Sequence, residues 1–416
     1  MAGERADVDR VAEAIRGSAE EAVRLLSELI RLPSPPGSEE PVARLMLEWL
    51  GASGIDAELV AIDDAVRDDP DYSLGDEPFE YSGRNNVVAS LGEGGGRRSL
   101  IVSTHLDVVP AAEWEEAFRP REENGFIFGR GACDAKGQLV AAALAMRALR
   151  EAGEELSGRA EAHFVIEEEV GGNGALALLA SGRSADGALV LEPTGLRLHP
   201  AGRGALWFRL EVEGRSVHMG RRHEGVNAVE KMVPLIAALR DYETRLVEES
   251  RGVPLFEGYE HPVQLCIGSF HGGEFPSMVA GDAVLEGGVG FLPNKGMEDV
   301  KADLAAAIAA GGDEWTREHH SLTFPKLHND AYASDSEDPF VGACRASARE
   351  SGLDDEISGW NVSCDARLYH HRGGMPAVVF GPGDVGHAHS RGERVAAADI
   401  VKAAEVIARL ILEWCA

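Results

Sequence analysis

Apolar positions recur at helical spacing through residues 9–31, where Ala22, Val23, Leu26, Leu29 and Ile30 share one stripe, and again through 39–53. Between them lies "LPSPPGSEE", in which Pro33, Pro35, Pro36 and Gly37 stop the first helix and Ser38 is expected to cap the second. After residue 84 the pattern changes. "NNVVASL" and "SLIVSTHLDVV" flank the turn "GEGGGRR" and read as adjacent strands. A helix at "KGQLVAAALAMRALREAG", a strand at "AEAHFVIEEE", a helix at "GALALLASG" and a strand at "GALVLEP" follow. Strands alternating with helices predict an α/β fold with a doubly wound, mainly parallel sheet.

The grammar then shifts. "ALWFRLEVEGRSVH" alternates like a half-exposed antiparallel strand, "GVNAVEKMVPLIAALRDYETRL" is a long helix, and "VQLCIGSF" and "AVLEGGVGFLP" are strand-like, with a helix near 298–310. Residues 205–324 are therefore expected to form an inserted α+β domain within a discontinuous domain of residues 1–204 and 325–416. The α/β pattern returns with a helix near 338–351, the strand "PAVVFGPGD" and a helix near 396–415.

A chain of 416 residues suits two or three domains, and its formal charge of -30 repels nucleic acid and anionic membrane surfaces, so neither is an expected partner. "MAGERADVDRVAEAIRG" has no apolar core of a secretory signal, and no apolar run is long enough to cross a bilayer, so a cytoplasmic location is expected. Cys133, Cys266, Cys344, Cys364 and Cys415 are scattered and odd in number, which reads as free thiols rather than disulfides or a thiolate zinc site.

The chemistry collects where strands end, the place at which doubly wound sheets bind ligands. "SLIVSTHLD" ends in His105 and Asp107, "FVIEEEV" in Glu167, Glu168 and Glu169, "ALVLEP" in Glu192, and "AVVFGPGDVGHAH" in His387 and His389; "FGRGACDAKG" presents Asp134 just before a helix. Singly, each has an ordinary explanation as a helix cap or a surface histidine. Together, like charges at one dry rim need cations. Imidazole and carboxylate without thiolate suit zinc, or cobalt or manganese, held as a metal pair.

"STHLDVVP", "GRGACDAKG", "IEEEVGG", "LEPTG" and "AHSRGERV" resemble the successive motifs of the acetylornithine deacetylase, succinyl-diaminopimelate desuccinylase, aminoacylase and glutamate carboxypeptidase family of dinuclear-zinc hydrolases, over nearly the whole chain. The resemblance implies a metal-binding catalytic domain with an inserted lid and dimerisation domain, two Zn2+ per subunit and a homodimer. By it, His105 and Glu192 would bind one metal, Glu169 and His389 the other, and Asp134 both. His389 is preferred to His387 because it follows Ala388 and precedes an acid, Glu393. Asp107 would accept a hydrogen bond from the His105 ring. Glu168 would be the general base to a metal-activated water. Because Glu167 and Glu169 share a face of an extended strand, the backbone is expected to turn near Glu169, helped by Gly171 and Gly172.

In the insert, "EGRSVHMG" resembles the lid segment whose histidine, here His218, would reach the neighbouring subunit's site to stabilise an oxyanion, while Asn227 is structural. The family's Asn-x-x-Pro element and lid arginine are replaced here by Ser277, Ala280 and Gly290, so Arg367 in "SCDARLYHHRGG" is the expected partner of a substrate carboxylate; Asp365, His370 and His371 are either pocket residues or exposed loop. The reaction implied is hydrolysis of an N-acyl-L-amino acid, as in acetylornithine deacetylase, with a desuccinylase or a dipeptidase or carboxypeptidase as the alternative. "GPGDVG" fits G-x-G-x-x-G, which makes a dinucleotide-binding protein the competing class, beside a non-catalytic binding protein.

Overall fold

The computed structural model describes residues 10–75, 80–92, 94, 98–153 and 156–415. The first nine residues and most of the turn expected at 92–98 lie outside that set. The chain divides into two compact units, one of residues 1–201, 333–360 and 364–416, the other of 202–332 and 361–363.

The larger unit opens with helices α1 (Ala19–Ile30) and α2 (Glu40–Ala52), whose buried stripes are Leu25, Leu26, Leu29 and Ile30, and Val42, Met46 and Leu50. The expected Ser38 cap does not form. Glu39 occupies the cap position of α2 without a side-chain bond to the helix, and its carboxylate instead accepts from the Gly37 amide and from Arg84. Strands β1 (Asp56–Ala61), β2 (Asn85–Leu91) and β3 (Ser99–His105) lead to α3 (Lys136–Ala152), β4 (Arg159–Val165), α4 (Asn173–Ala180), β5 (Ala188–Leu191) and β6 (Leu198–Gly202). Helix α3 is buried along most of its length, as its run of alanines allows, and Gly153 closes it in a left-handed cap.

The smaller unit contains β7 (Gly204–Glu213), α5 (Ala228–Glu249), β8 (Leu265–Gly272), β9 (Asp282–Phe291), α6 (Met297–Gly311), β10 (His320–Thr323) and β11 (His328–Asn329). Its strands run in the order β8, β9, β7, β10, with β11 also on β7, all antiparallel. Alternate burial along β7 puts Leu206, Phe208 and Leu210 on the face that α5 covers. The Asn227 side chain accepts from the amides of Val229 and Glu230, capping α5 as its structural role requires.

The chain then adds β12 (Tyr332–Ala333), α7 (Pro339–Glu350), β13 (Ile357–Trp360), α8 (Ala366–His371), β14 (Ala377–Phe380) and α9 (Ala397–Cys415). Among the described residues the large sheet has nine strands in the order β1, β2, β4, β3, β5, β14, β6, β12, with β13 paired to β6. Its centre, β4, β3, β5 and β14, is parallel; β1, β2 and β6 are antiparallel to their neighbours. The expected adjacency of β2 and β3 is corrected here, because β4 lies between them and pairs with both, Val87 with Phe164 and His105 with Val165. Both edges of β4 are thus satisfied by buried strands. Helix α9, buried along most of its length, packs on α3 and on β3.

Candidate metal centre

His105 is the last residue of β3, and Asp107 follows in the loop beyond it. His105 Nδ1 lies 2.9 Å from the backbone oxygen of Asp107, and 3.5 Å from its carboxylate. The ring is therefore oriented mainly by a main-chain carbonyl, where the sequence led us to expect the Asp107 side chain. That carboxylate is taken by two amides: Glu168 N donates to Oδ1 at 3.2 Å and Glu169 N to Oδ2 at 3.0 Å.

The chain turns at Glu167, two residues earlier than the strand pattern suggests. Glu167 is left-handed at φ +63°, Glu168–Val170 form one 3-10 turn, and Gly171 and Gly172 follow at φ +118° and +84°. Gly172 is required twice over, since a Cβ there would sit 2.1 Å from Asp365 Oδ1. The turn swings Glu167 away from its neighbours into a fully buried pocket. There its Oε1 lies 2.6 Å from Arg84 Nη1, and Oε2 accepts from Tyr81 at 2.9 Å and Asn173 at 2.8 Å. Arg84 also donates to Glu39 at 2.9 Å, so one guanidinium serves two buried acids. For Glu167 the sequence left solvent or an arginine open as partner, and the structure supplies the arginine; that Arg84 is shared with Glu39 had no signal in the sequence.

Glu168 and Glu169 face the rim. Ligand atoms of His105, Glu168 and Glu192 lie within 4.8 Å of one another, and so do those of Asp134, Glu169 and His389. Asp134 joins the two groups: Oδ1 is 3.1 Å from His105 Nε2, and Oδ2 is 3.1 Å from His389 Nε2. His389, itself left-handed at φ +57°, also stands 3.2 Å from Glu169. His387 ends a 3-10 turn and belongs to neither group. Glu393 supports the Asp134 loop by accepting from the Cys133 and Asp134 amides, both at 3.1 Å, and pairing with Arg130. Lys136, fully buried at the start of α3, donates to the carbonyls of Leu29 and Leu32.

The electrostatics are those of a site short of positive charge. Burial, then the charge of Glu192, lifts Glu168 well above the carboxylate range; burial lifts Glu192 likewise, and burial with the charge of Asp134 lifts Glu169. Burial would also lift Asp134, but hydrogen bonds from His105 and His389 hold it below its ordinary value. Bonds to Asp134 and Glu169 push His389 up to about 10, and bonds to Asp107 and Asp134 overcome burial to raise His105. Glu192 Oε1 is out of solvent with no hydrogen-bond partner. An orphaned carboxylate oxygen in a hard oxygen and imidazole set fits a pair of divalent cations.

Asp365, named from sequence only as an optional pocket residue, is buried beside this cluster; burial carries it to about 7 against the pull of Arg367. Arg367 is buried too, and its Nη2 donates to the Gly171 carbonyl at 2.9 Å, with Nη1 4.0 Å from Asp71. His370 and His371 lie in the last turn of α8, with rings edge to face 5.0 Å apart. His218, in the smaller unit, is exposed at the start of a 3-10 turn. The "GPGDVG" stretch leads into the single turn Val385–His387, without the helix a dinucleotide site needs. All five cysteines are free. Among the described residues no helix is long and apolar enough to cross a membrane.

The model of the Peptidase family M20/M25/M40 matches residues 101–413, and the chain belongs to that family of metal-dependent hydrolases. It is 29% identical over 368 residues to the N-formyl-4-amino-5-aminomethyl-2-methylpyrimidine deformylase of Bacillus subtilis (strain 168), covering 80% of this chain and 84% of the relative. It is also 29% identical, over 336 residues and with the same coverage, to the acetylornithine deacetylase of Myxococcus xanthus. In fold it is similar to a di-peptidase from Saccharomyces cerevisiae, with a TM-score of 0.76 at 15% identity and 98% of each chain covered.

Proposed function

We propose that this hydrolase cleaves the amide bond of an N-acyl-L-amino acid, with two divalent cations, zinc in the first instance, held by His105, Asp134, Glu169, Glu192 and His389. The observation that carries the reading is Asp134, whose two oxygens each address one histidine of a different ligand group. With Asp134 completing the His105 and Glu192 set, Glu168 is surplus to ligation although it stands beside both. Bound cations would supply the Lewis acidity that brings a water toward ionisation near neutral pH. Glu168 then accepts the proton of the attacking water and passes it to the leaving amine nitrogen.

Asp107 holds the amides of Glu168 and Glu169 and so fixes the direction of both side chains. Arg367, first expected at a substrate carboxylate, is assigned a positioning role, because its guanidinium is buried against the Gly171 turn. His218 Nδ1 accepts from the Gly220 amide at 3.2 Å, so a neutral ring carries its proton on Nε2. Offered by a second copy of the chain, that donor would stabilise the oxyanion, which makes a homodimer the working assembly.

The reading is tested by presenting zinc-loaded protein with N-acetyl, N-succinyl and N-formyl amino acids beside dipeptides, with metal analysis of the same sample. Turnover of an N-acyl amino acid above the others supports it. The similarity to the Bacillus subtilis deformylase supplies the second reading, an N-formyl aminopyrimidine; turnover confined to such a formamide would replace the first.

A further inference from the structure

Tyr369 carries a hydroxyl into the middle of the large sheet. It belongs to α8 and is fully buried, as are Ser103 on β3 and His163 on β4. Ser103 and His163 are paired across the two strands, so their side chains leave the same face side by side. The Tyr369 hydroxyl meets both, donating to Ser103 Oγ at 2.8 Å and lying 3.2 Å from His163 Nδ1. His163 Nε2 stands 3.1 Å from Glu161 Oε2, and Glu161 is answered by Arg159 at 3.3 Å and Arg183 at 3.2 Å. Four buried polar side chains thus form one unbroken thread, Glu161, His163, Tyr369 and Ser103.

Such a thread adds little to stability, because burying each group costs about what its hydrogen bonds return. What it fixes is position. A phenyl ring at 369 could settle anywhere along the two strands, whereas a phenol that must meet one serine and one histidine has a single place. That place sets α8, and the first turn of α8 grips the chain just after Glu168 and Glu169. Arg367 Nη2 donates to the Gly171 carbonyl at 2.9 Å, and Asp365 Oδ1 sits where a Cβ on Gly172 would come within 2.1 Å of it. The Gly171 amide in turn donates to the Glu168 carbonyl at 2.9 Å. Ser103 lies two residues before His105 and on the same face of β3. Tyr369 is therefore referenced to the strand that ends in a ligand histidine, and α8 passes that reference to the rim glutamates.

We propose that Tyr369 is a positioning residue for the hydrolysis: held by Ser103 and His163, it fixes α8, and α8 through Arg367 fixes the direction of Glu168. The inference rests on the amide-hydrolase reading with Glu168 as the base, and adds to it what keeps that base in line.

The test follows zinc-loaded wild type and Tyr369→Phe by two readouts, steady-state kinetics on N-acetyl-L-amino acids and amide hydrogen exchange along the chain. Tyr369→Phe should lower kcat about 10- to 100-fold, the range for a slightly misplaced catalytic group, with KM, zinc content and Tm close to wild type. Exchange at the amides of residues 168–172 should quicken about 10-fold while that of α9 stays as it was. Arg367→Met should act alike, and Tyr369→Phe/Arg367→Met no more strongly than Arg367→Met alone, because both changes break one line of contact. Ser103→Ala removes the 2.8 Å bond from the strand side. It should move kcat and exchange in the same direction, and it decides the matter if Tyr369→Phe does not fold. Wild-type kcat in Tyr369→Phe, effects that multiply in the double variant, or exchange that quickens across the whole sheet would overturn the proposal, the last as the mark of a merely structural tie. If wild type cleaves no N-acetyl amino acid, the amide-hydrolase reading fails on its own. Exchange then decides this one: quickening confined to the turn sustains the tie from Tyr369 to Glu168, and no change at the turn overturns it.

Discussion

Asp107 Oδ2 accepts the backbone amide of Glu169 at 3.0 Å, tying the loop after β3 to the turn after β4. His105 and Val165, the ends of those strands, are in register. The tie therefore spans neighbouring strand ends and sets where the two rim glutamates project. Asp107→Asn presents an NH2 to one of two amide donors and leaves that donor buried and unpaired. We expect kcat to fall about 10- to 100-fold and metal affinity to fall by a similar factor, as for residues that orient ligands. Steady-state kinetics with metal titration measure both. Unchanged values would mean the turn holds itself.

Glu168→Gln removes the base and keeps the shape of the side chain. Turnover is expected to fall by about 10²- to 10⁴-fold with metal content unchanged. Loss of one cation per chain in that variant would make Glu168 a ligand beside His105 and Glu192 and contradict its role as the base.

The metal-free protein should become less stable as pH rises. Glu168, Glu169 and Glu192 have raised pKa values in the fold, so the folded state holds protons that the unfolded chain releases from about pH 4.5 upward. His389, raised to about 10, loses its contribution between about pH 6.5 and 10, in the same direction. Asp134, held low, acts only at the acid end, where stability falls as it is protonated. Metal-free Tm should thus decline from pH 5 to 9, and added zinc should raise Tm more at pH 8 than at pH 5, because binding displaces those protons. A metal-free Tm that rises with pH across this range contradicts the electrostatic account of the rim.

Arg84 stands between the buried carboxylates of Glu39 and Glu167. Arg84→Met leaves both acids without a cation and should cost about 3–5 kcal/mol. Chemical denaturation reads the loss directly. Arg84→Met/Glu167→Gln, which removes one of the stranded charges, should recover part of it.

The helices and strands were legible because their burial is periodic. Leu25, Leu26, Leu29 and Ile30 mark α1, and β7 alternates buried and open positions through ten residues. Strand order was not, since a buried strand such as β2 is apolar whether its partner is β3 or β4, and alternation carries no record of the neighbour. The rim was legible in its acids and histidines, each of which sits at a strand end or in a loop close by. What escaped was backbone direction. Glu167 turns left-handed and leaves the rim for Arg84, an interaction joining residues far apart in sequence. Asp365 stayed undecided between pocket and exposed loop for a similar reason, because a polar stretch reads as exposed unless one knows that Gly172 lets its carboxylate approach.

The most direct measurement is anomalous diffraction at the zinc edge from crystals grown with zinc, at a resolution that separates the two ligand groups. The account predicts two peaks per chain, one among His105, Glu192 and Asp134 and one among Asp134, Glu169 and His389. A rim without anomalous signal, its acids turned outward or neutralised by protons alone, would contradict it.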